Sequence, residues 1–254
     1  MMVPRSLVIS GASRGLGAAL ALRFAAPGVT LRLVARGARA LTAVAGCCRA
    51  RGAAVDCATI DVRDAAALGA QLAAWDAAVP IDTIVANAGI SRGRTPEGGR
   101  EGHDAAAEQV AVNLLGAMNL IEPLLDAPGL RRVAVIGSLA GFVGLPDTPG
   151  YSASKAGLIA YGEALRVALA PRVAVTVVAP GFFESAMSAR FLGAKPGMLS
   201  LEAAAVRVER AIRSGDPRCA FPPGLALGVR LLPLLPARLS DWILRRERFR
   251  IAPE

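Results

Sequence analysis

The sequence predicts an α/β fold, one doubly wound parallel sheet of about seven strands with helices on both faces. Three observations predict it. Short β-branched and leucine-rich runs alternate with longer amphipathic stretches along most of the 254 residues, which is the pattern of βαβ units. Glycine and proline gather at the ends of the apolar runs, where turns need them. A glycine-rich turn stands between the first strand and the first helix.

Taken in order, an apolar run at 7–10 leads through Gly11, Gly15 and Gly17 into a helix over 15–26. Strand 30–35 precedes a helix over 38–51, and strand 54–59 precedes a helix over 65–77. After strand 83–86 the stretch 91–102 is polar and glycine-rich, a loop, and one long helix covers 100–125. Strand 132–136 is followed by a helix over 151–170, and strand 174–178 by a loop at 182–200 and a helix at 201–214. A last strand spans 218–221. Right-handed crossovers place the helices on both faces of the sheet. No repeat or Gly/Ser linker divides residues 1–222, so they form one domain. Residues 223–254 are an apolar, proline-containing, basic extension, expected to pack on the domain or on a partner. Pro222, Pro223, Pro233 and Pro236 argue against a continuous helix before about Ala237.

Apolar residues make up 54% of the chain and charged residues 19%, which supplies a core and excludes a disordered chain. The net charge is +9, nearly all of it arginine, because Lys155 and Lys195 are the only lysines. The arginines are spread along the chain as a solvated surface, with one cluster at Arg245, Arg246, Arg248 and Arg250. They lack the interleaved aromatics of single-strand binders, so no nucleic-acid partner is expected. An apolar tail beside basic residues has the composition of a membrane-interface segment, although packing on protein is the preferred reading. Cys47, Cys48, Cys57 and Cys219 show no CxxC spacing, and with the single His103 they offer too few ligands for a zinc site, so no metal is expected. A reduced, cytoplasmic protein follows, without signal peptide or spanning helix, with Cys57 and Cys219 in strand core. Trp75, Trp242 and Tyr161 are taken as packing residues, and His103 as a surface or helix-start residue.

The chemistry gathers around Tyr151-Ser152-Ala153-Ser154-Lys155, with Ser138 thirteen residues upstream. Residues four apart share a helix face, so the ammonium of Lys155 is expected beside the phenol of Tyr151. A nearby cation favours phenolate and lowers the tyrosine pKa, towards the range where it trades a proton near neutrality. Gly11, Gly15 and Gly17 permit a tight turn that brings a pyrophosphate against the N–H groups of the first helix.

The glycine turn, Asp61-Val62, Asn87-Ala88-Gly89, Asn113, Ser138, Tyr151 with Lys155, and Pro180-Gly181 occur in one order. In that order the chain, from about residue 5 to 222, closely resembles the short-chain dehydrogenase/reductase family. The resemblance implies a Rossmann-type fold and a nicotinamide dinucleotide. It assigns Gly11, Ser13, Arg14, Gly15, Leu16 and Gly17 to the phosphate-binding turn, with Ser10 where threonine is more usual. Asp61 would bond the adenine amino group, with Val62 giving a backbone contact beside it. The segment Asn87, Ala88 and Gly89 would pass beneath the ribose. Pro180, Gly181, Phe183 and Ser185 would border the nicotinamide and its carboxamide. Asn113 would hold a water near the lysine, Ser138 would bond the substrate oxygen, and Tyr151 would be the acid in reduction and the base in oxidation. Lys155 would bind the nicotinamide ribose and tune Tyr151. Ile136-Gly137-Ser138 and the glycine turn look most like bacterial 3-oxoacyl reductases, and the tail does not. Pairing of the helices that carry Asn113 and Tyr151 would make a homodimer or homotetramer.

An acidic residue at the end of the second strand would bind the ribose hydroxyls of NAD. Here the strand ends Val34-Ala35-Arg36-Gly37, and Arg14 lies in the glycine turn. Two arginines and a missing acid favour NADP(H) over NAD(H). The expected function is reduction of a carbonyl, or oxidation of a secondary alcohol, in a biosynthetic pathway for lipid, polyketide or surface polysaccharide. Phe182, Phe183, Met187, Phe191 and Met198 in the 182–200 loop suggest an apolar substrate. The alternatives are a catalytically silent NADP-binding regulator and a peripheral membrane-associated member of the family.

Overall fold

Strands of the central sheet alternate their side chains between two faces, and the sequence supplies an apolar residue for each. Leu7 and Ile9 of the first strand join one buried cluster and Val8 joins the other. A computed structural model of the protein describes residues 4–93 and 101–246. Seven parallel strands occur among the described residues: β1 (Ser6–Ser10), β2 (Thr30–Ala35), β3 (Ala54–Thr59), β4 (Thr83–Ala86), β5 (Arg132–Ile136), β6 (Ala174–Pro180) and β7 (Arg218–Phe221). Their order is β3-β2-β1-β4-β5-β6-β7. β1 pairs with β2 on one side and β4 on the other, so the order reverses there. A crevice opens at the carboxyl ends of strands at such a switch point.

Helices α1 (Gly15–Phe24), α2 (Ala38–Arg49) and α8 (Leu201–Ser214) cover one face, which also buries Leu20, Phe24, Leu31 and Val208. Helices α3 (Ala65–Ala78), α5 (Gly116–Ile121) and α6 (Pro149–Ala168) cover the other, over Leu72, Ile84, Leu120 and Val133. Arg23 on α1 pairs with Glu209 at 2.5 Å and with Glu202, which ties α1 to α8. Helix α6 packs against the sheet at Gly162, where a Cβ would meet Val135 Cγ2 at 2.6 Å.

The long helix expected over 100–125 is not one helix. It is α4 (His103–Val110), a π-helical turn at Ala111–Leu115, α5, and a 3-10 turn at Glu122–Leu124. The π turn carries Asn113, whose buried amide bonds outside the helix, and such turns cluster where a side chain is aimed at a site. Residue 100 and most of the expected 91–102 loop lie outside the described residues. His103 begins α4 and is exposed. Other boundaries shift by two residues at most.

Three further expectations are corrected. The arginines are not all solvated: Arg32 and Arg132 are buried within strands. Arg32 donates to Ser6 Oγ at 2.6 Å and to the carbonyls of Trp75 and Val79 at 2.9 and 2.6 Å, so its charge satisfies the C-terminal end of α3. Arg132 does the same for α8 through Ile212 O at 3.1 Å. Cys57 is exposed rather than core, because β3 is the edge strand and turns that side chain outward, while Cys219 is half-buried. Trp75 is buried, but Trp242 is half exposed beneath Arg246. As expected, no continuous helix runs through the tail before Ala237; it is helical in pieces, as α9 (Pro223–Leu231), a 3-10 turn (Leu232–Leu234) and α10 (Ala237–Arg246). Pro223 opens α9, where its missing N–H has no partner to lose, and Pro233 and Pro236 separate the two helices.

Arg32→Leu is expected to lower the unfolding free energy by about 2 kcal/mol, because two helix-end carbonyls lose their donor. Urea denaturation measures the loss.

Candidate active site

At the carboxyl ends of the strands lies a cavity of about 1040 Å³. That is at or above the upper end of the range for a single small-ligand site. Its walls come from the turns after β1, β2, β4 and β5, from α6, from the 182–200 segment and from the tail.

One end is built on the turn after β1. Gly11 and Gly15 have φ of +64° and +55°, which favours glycine. Gly17 lies beneath them, and a Cβ there would stand 2.4 Å from Gly11 O. Asn87, at the end of β4, donates through Nδ2 to Ser10 O and Gly11 O at 3.0 and 3.3 Å. In return Ser10 Oγ accepts from the N–H groups of Asn87 and Ala88 at 3.1 and 3.0 Å. The hydroxyl at position 10 therefore joins the two strand ends. The first turn of α1 has no acidic residue and Arg14 makes no side-chain cap, which leaves the helix N-terminus suited to an anion. Ser13, Arg14, Gly15 and Leu16 face the cavity, as do Ala88 and Gly89.

Next to this turn, Arg36, Asp61 and Val62 form the rim. Arg14 and Arg36 are exposed. Asp61 pairs with Arg63 at 2.7 Å, and that hydrogen bond, helped by the charge of Arg36, holds its carboxyl below the usual range. Sequence reasoning passed over Arg63, whose role depends on a partner two residues away and not on a motif. The set fits a dinucleotide: a helix N-terminus without its own anion, cationic groups on the rim, and glycines where side chains would block approach.

At the other end stand Ser138, Tyr151 and Lys155. Ser138 follows β5 and caps a short 3-10 turn, accepting from Ala140 N at 3.1 Å. It lines the cavity together with Tyr151, and its hydroxyl acts to lower the phenol pKa. Lys155 lies one turn further along α6, with Nζ 5.9 Å from the Tyr151 ring centre, and donates to Ile136 O at 2.8 Å. The expected lowering of the tyrosine pKa does not occur in this state. Burial pushes the phenol up, only partly offset by Ser138, and burial lowers Lys155 to about 8. Desolvation sets the direction of both shifts, and the lysine donates its hydrogen bond to the main chain.

Asn113 stands behind this group and does not face the cavity. Its Nδ2 donates to Ile90 O and Ser154 Oγ, both at 3.0 Å, and its Oδ1 accepts from Ile90 N at 2.7 Å. A Cβ at Gly89 would lie 3.3 Å from both Asn113 Oδ1 and Lys155 Nζ, so only glycine leaves these two groups facing one space. Pro180, Gly181 and Phe183 face the cavity after β6, together with Ser185, whose hydroxyl accepts from Ser188 N to cap the short helix α7 (Ala186–Ala189).

Three groups of residues in or behind the site carried no sequence signal. Glu101 is buried and accepts from Gly150 N at 2.6 Å, Gln109 Nε2 at 2.6 Å and Thr148 Oγ1 at 2.8 Å. It thus places a carboxylate at the N-terminus of α6, the helix of Tyr151 and Lys155. Val143, Leu145 and Thr148 line the cavity from the segment before α6. Leu225, Val229, Leu232, Ile243 and Leu244 line it from the tail. Phe182, Met187 and Phe191 line it as expected, with the rings of Phe182 and Phe191 4.8 Å apart, whereas Met198 points to solvent.

The burial of Lys155 has a measurable consequence. Its folded pKa of about 8 lies below the ordinary 10.5, so below pH 8 a charged lysine is held in the core at a cost. As pH rises from about 8 to 10.5 the folded protein sheds that proton before the unfolded chain does, and stability contributed by this group increases by roughly 3 kcal/mol. Wild type compared with Lys155→Met by urea unfolding across that window is expected to show the rise only in wild type.

The short chain dehydrogenase family model matches residues 5–195. An uncharacterized oxidoreductase of Myxococcus xanthus is 34% identical over 249 residues, covering 96% of this chain and 98% of that one. The 3-oxoacyl-[acyl-carrier-protein] reductase MabA of Mycobacterium bovis is 30% identical over 191 residues, 73% of this chain and 72% of that protein. Among solved structures, a variant of actinorhodin polyketide ketoreductase with NADPH aligns at a TM-score of 0.77 and 25% identity, covering 88% of this chain and 97% of that one. A matching model over most of the chain, relatives of this extent and a parallel sheet with its cleft at the switch point together make the protein an oxidoreductase of the short-chain dehydrogenase/reductase family.

Proposed function

We propose that the protein reduces a ketone on an apolar substrate with NADP(H), with Tyr151 as the proton donor. The observation that carries this reading is that Ser138, Tyr151 and Lys155 line one end of a single cavity, with Lys155 buried one helical turn from Tyr151 and held by Ile136 O. A bound nicotinamide supplies the hydride. Ser138 donates to the substrate oxygen and Tyr151 gives it a proton. Lys155, held between Ile136 O and the cavity, binds ribose hydroxyls and replaces the proton of Tyr151. Once a polar ligand and water enter, the desolvation that raises the phenol and lowers the lysine is relieved, and the cation acts on the phenol as its position on α6 intends. Asn113 fixes the Ile90 backbone opposite the lysine.

Arg36 and Arg14 support NADP(H) over NAD(H), since no carboxylate stands at the end of β2 and both arginines border the dinucleotide end of the cavity. The aromatic and aliphatic lining from Phe182, Met187, Phe191 and Leu225 supports an apolar substrate such as an acyl or polyketide-like ketone. The ketoreductase relatives agree with that class. Leu115 and Val167, exposed near Asn113 and on the helix of Tyr151, support assembly as a homodimer or homotetramer through these helices.

Tyr151→Phe is expected to lower kcat roughly 10³-fold while leaving the Kd for NADPH within about twofold, as measured by NADPH consumption on 3-oxoacyl thioesters and by fluorescence titration. Arg36→Ser is expected to weaken NADPH binding roughly tenfold to a hundredfold and to leave NADH binding nearly unchanged. A Kd for NADH tighter than that for NADPH in the wild type would refute the cofactor preference.

A further inference from the structure

The tail shows an exposed apolar face, most of which lies outside the cavity. Of the twelve large apolar side chains exposed among the described residues, six lie between positions 227 and 242. Leu234 is 77% exposed, Leu227 60% and Trp242 51%. The inner side is anchored: Ala226 is buried against Leu139 and Ala179, and Arg230 stacks on Phe142 at 4.6 Å. Helix α10 has Leu239 and Trp242 three residues apart, so they share one face.

The charge beside this face has one sign. Residues 222–246 carry four arginines and a single acid, Asp241. All four are exposed; Arg230 stacks on Phe142, and Arg238, Arg245 and Arg246 stand around the apolar residues, with Arg246 stacked 3.7 Å from the Trp242 ring centre. An aromatic beside arginines and leucines suits the boundary between headgroups and acyl chains. No helix among the described residues is long and apolar enough to cross a membrane, so the contact is interfacial. A second copy of the chain suits the face less well, because pairing it with itself sets three arginines against three with only Asp241 to balance them.

We propose that residues 223–246 dock the protein on an anionic membrane surface. Leu227, Leu234, Leu239 and Trp242 enter the interface and Arg238, Arg245 and Arg246 meet anionic headgroups. Leu231 and Leu235 are exposed on this face and also line the cavity, so docking brings the cavity wall to the lipid boundary, where an apolar ketone would partition. The docking itself is independent of the proposed reduction, and its test reads binding and not turnover.

The test is sedimentation of the full chain with phosphatidylcholine vesicles, with and without equimolar phosphatidylglycerol, at low and high salt. Retention on the phosphatidylglycerol vesicles alone, weakened by salt and accompanied by a blue shift of Trp242 emission, is expected. In Arg245→Gln/Arg246→Gln the partition coefficient is expected to fall roughly thirtyfold. Leu234→Ser/Leu239→Ser, whose side chains are exposed and outside the cavity, should lose retention while keeping its circular dichroism and NADPH binding. No retention on either vesicle, or retention unchanged in both variants, overturns the proposal. A wild-type oligomer that Leu234→Ser/Leu239→Ser dissociates, without vesicle binding, assigns the face to a second copy instead.

Discussion

Three chain segments meet within hydrogen-bond distance at Ser10, Gly17 and Asn87, and the rest of the site depends on that meeting. The carboxyl end of β1, the first turn of α1 and the end of β4 approach so closely that Gly17 has no room for a Cβ, and Asn87 fills what would be an unsatisfied pocket of main-chain oxygens. A larger residue at 17 would push α1 away from the sheet and turn its N–H groups off the cavity. The same contact fixes Ala88 and Gly89, and through Gly89 the space between Asn113 and Lys155. The two ends of the cleft, the glycine turn and the Ser138, Tyr151 and Lys155 group, are therefore held by a single junction.

The end that holds Tyr151 and Lys155 is under electrostatic tension. A lysine lowered to about 8 and a phenol raised by burial are each in an environment that disfavours their charged forms. Neither is compensated by the other at 5.9 Å from the ring centre. The fold supports this cost with well-packed surroundings: Glu101 anchors the start of α6, Gly162 brings its middle onto β5, and Asn113 ties its side to the Ile90 loop. Functional sites commonly carry such local cost, which a ligand relieves.

Much of this was legible in the chain. The seven strand positions follow from short apolar runs, because burial on both faces of a parallel sheet demands continuous apolar sequence. The glycine turn and Tyr151/Lys155 were legible because steric and charge requirements restrict those positions to few residue types. What was missed depends on distant partners. Arg32 looked like surface charge, since nothing in strand 30–35 announces that α3 ends against it. The π turn at Asn113 was invisible to a helical period. The direction of the Tyr151 shift was misjudged because spacing along a helix reports proximity and says nothing of desolvation.

The tail was hard to read for a related reason. Its prolines exclude a continuous helix before Ala237, as found, but they do not show that Pro223 sits where a helix tolerates it and that Pro233 and Pro236 mark a break between two helices. Once helical, the tail must place its leucines somewhere. Some go inward: Leu225, Leu232, Ile243 and Leu244 extend the cavity beyond the catalytic group. The remainder cannot, because a pair of helices this short has one domain-facing side and the domain already fills it with Ala226 and Arg230. An apolar face left outside, rimmed by arginine and continuous with the cavity wall, is consistent with a chain whose substrate and supporting surface share the same low polarity.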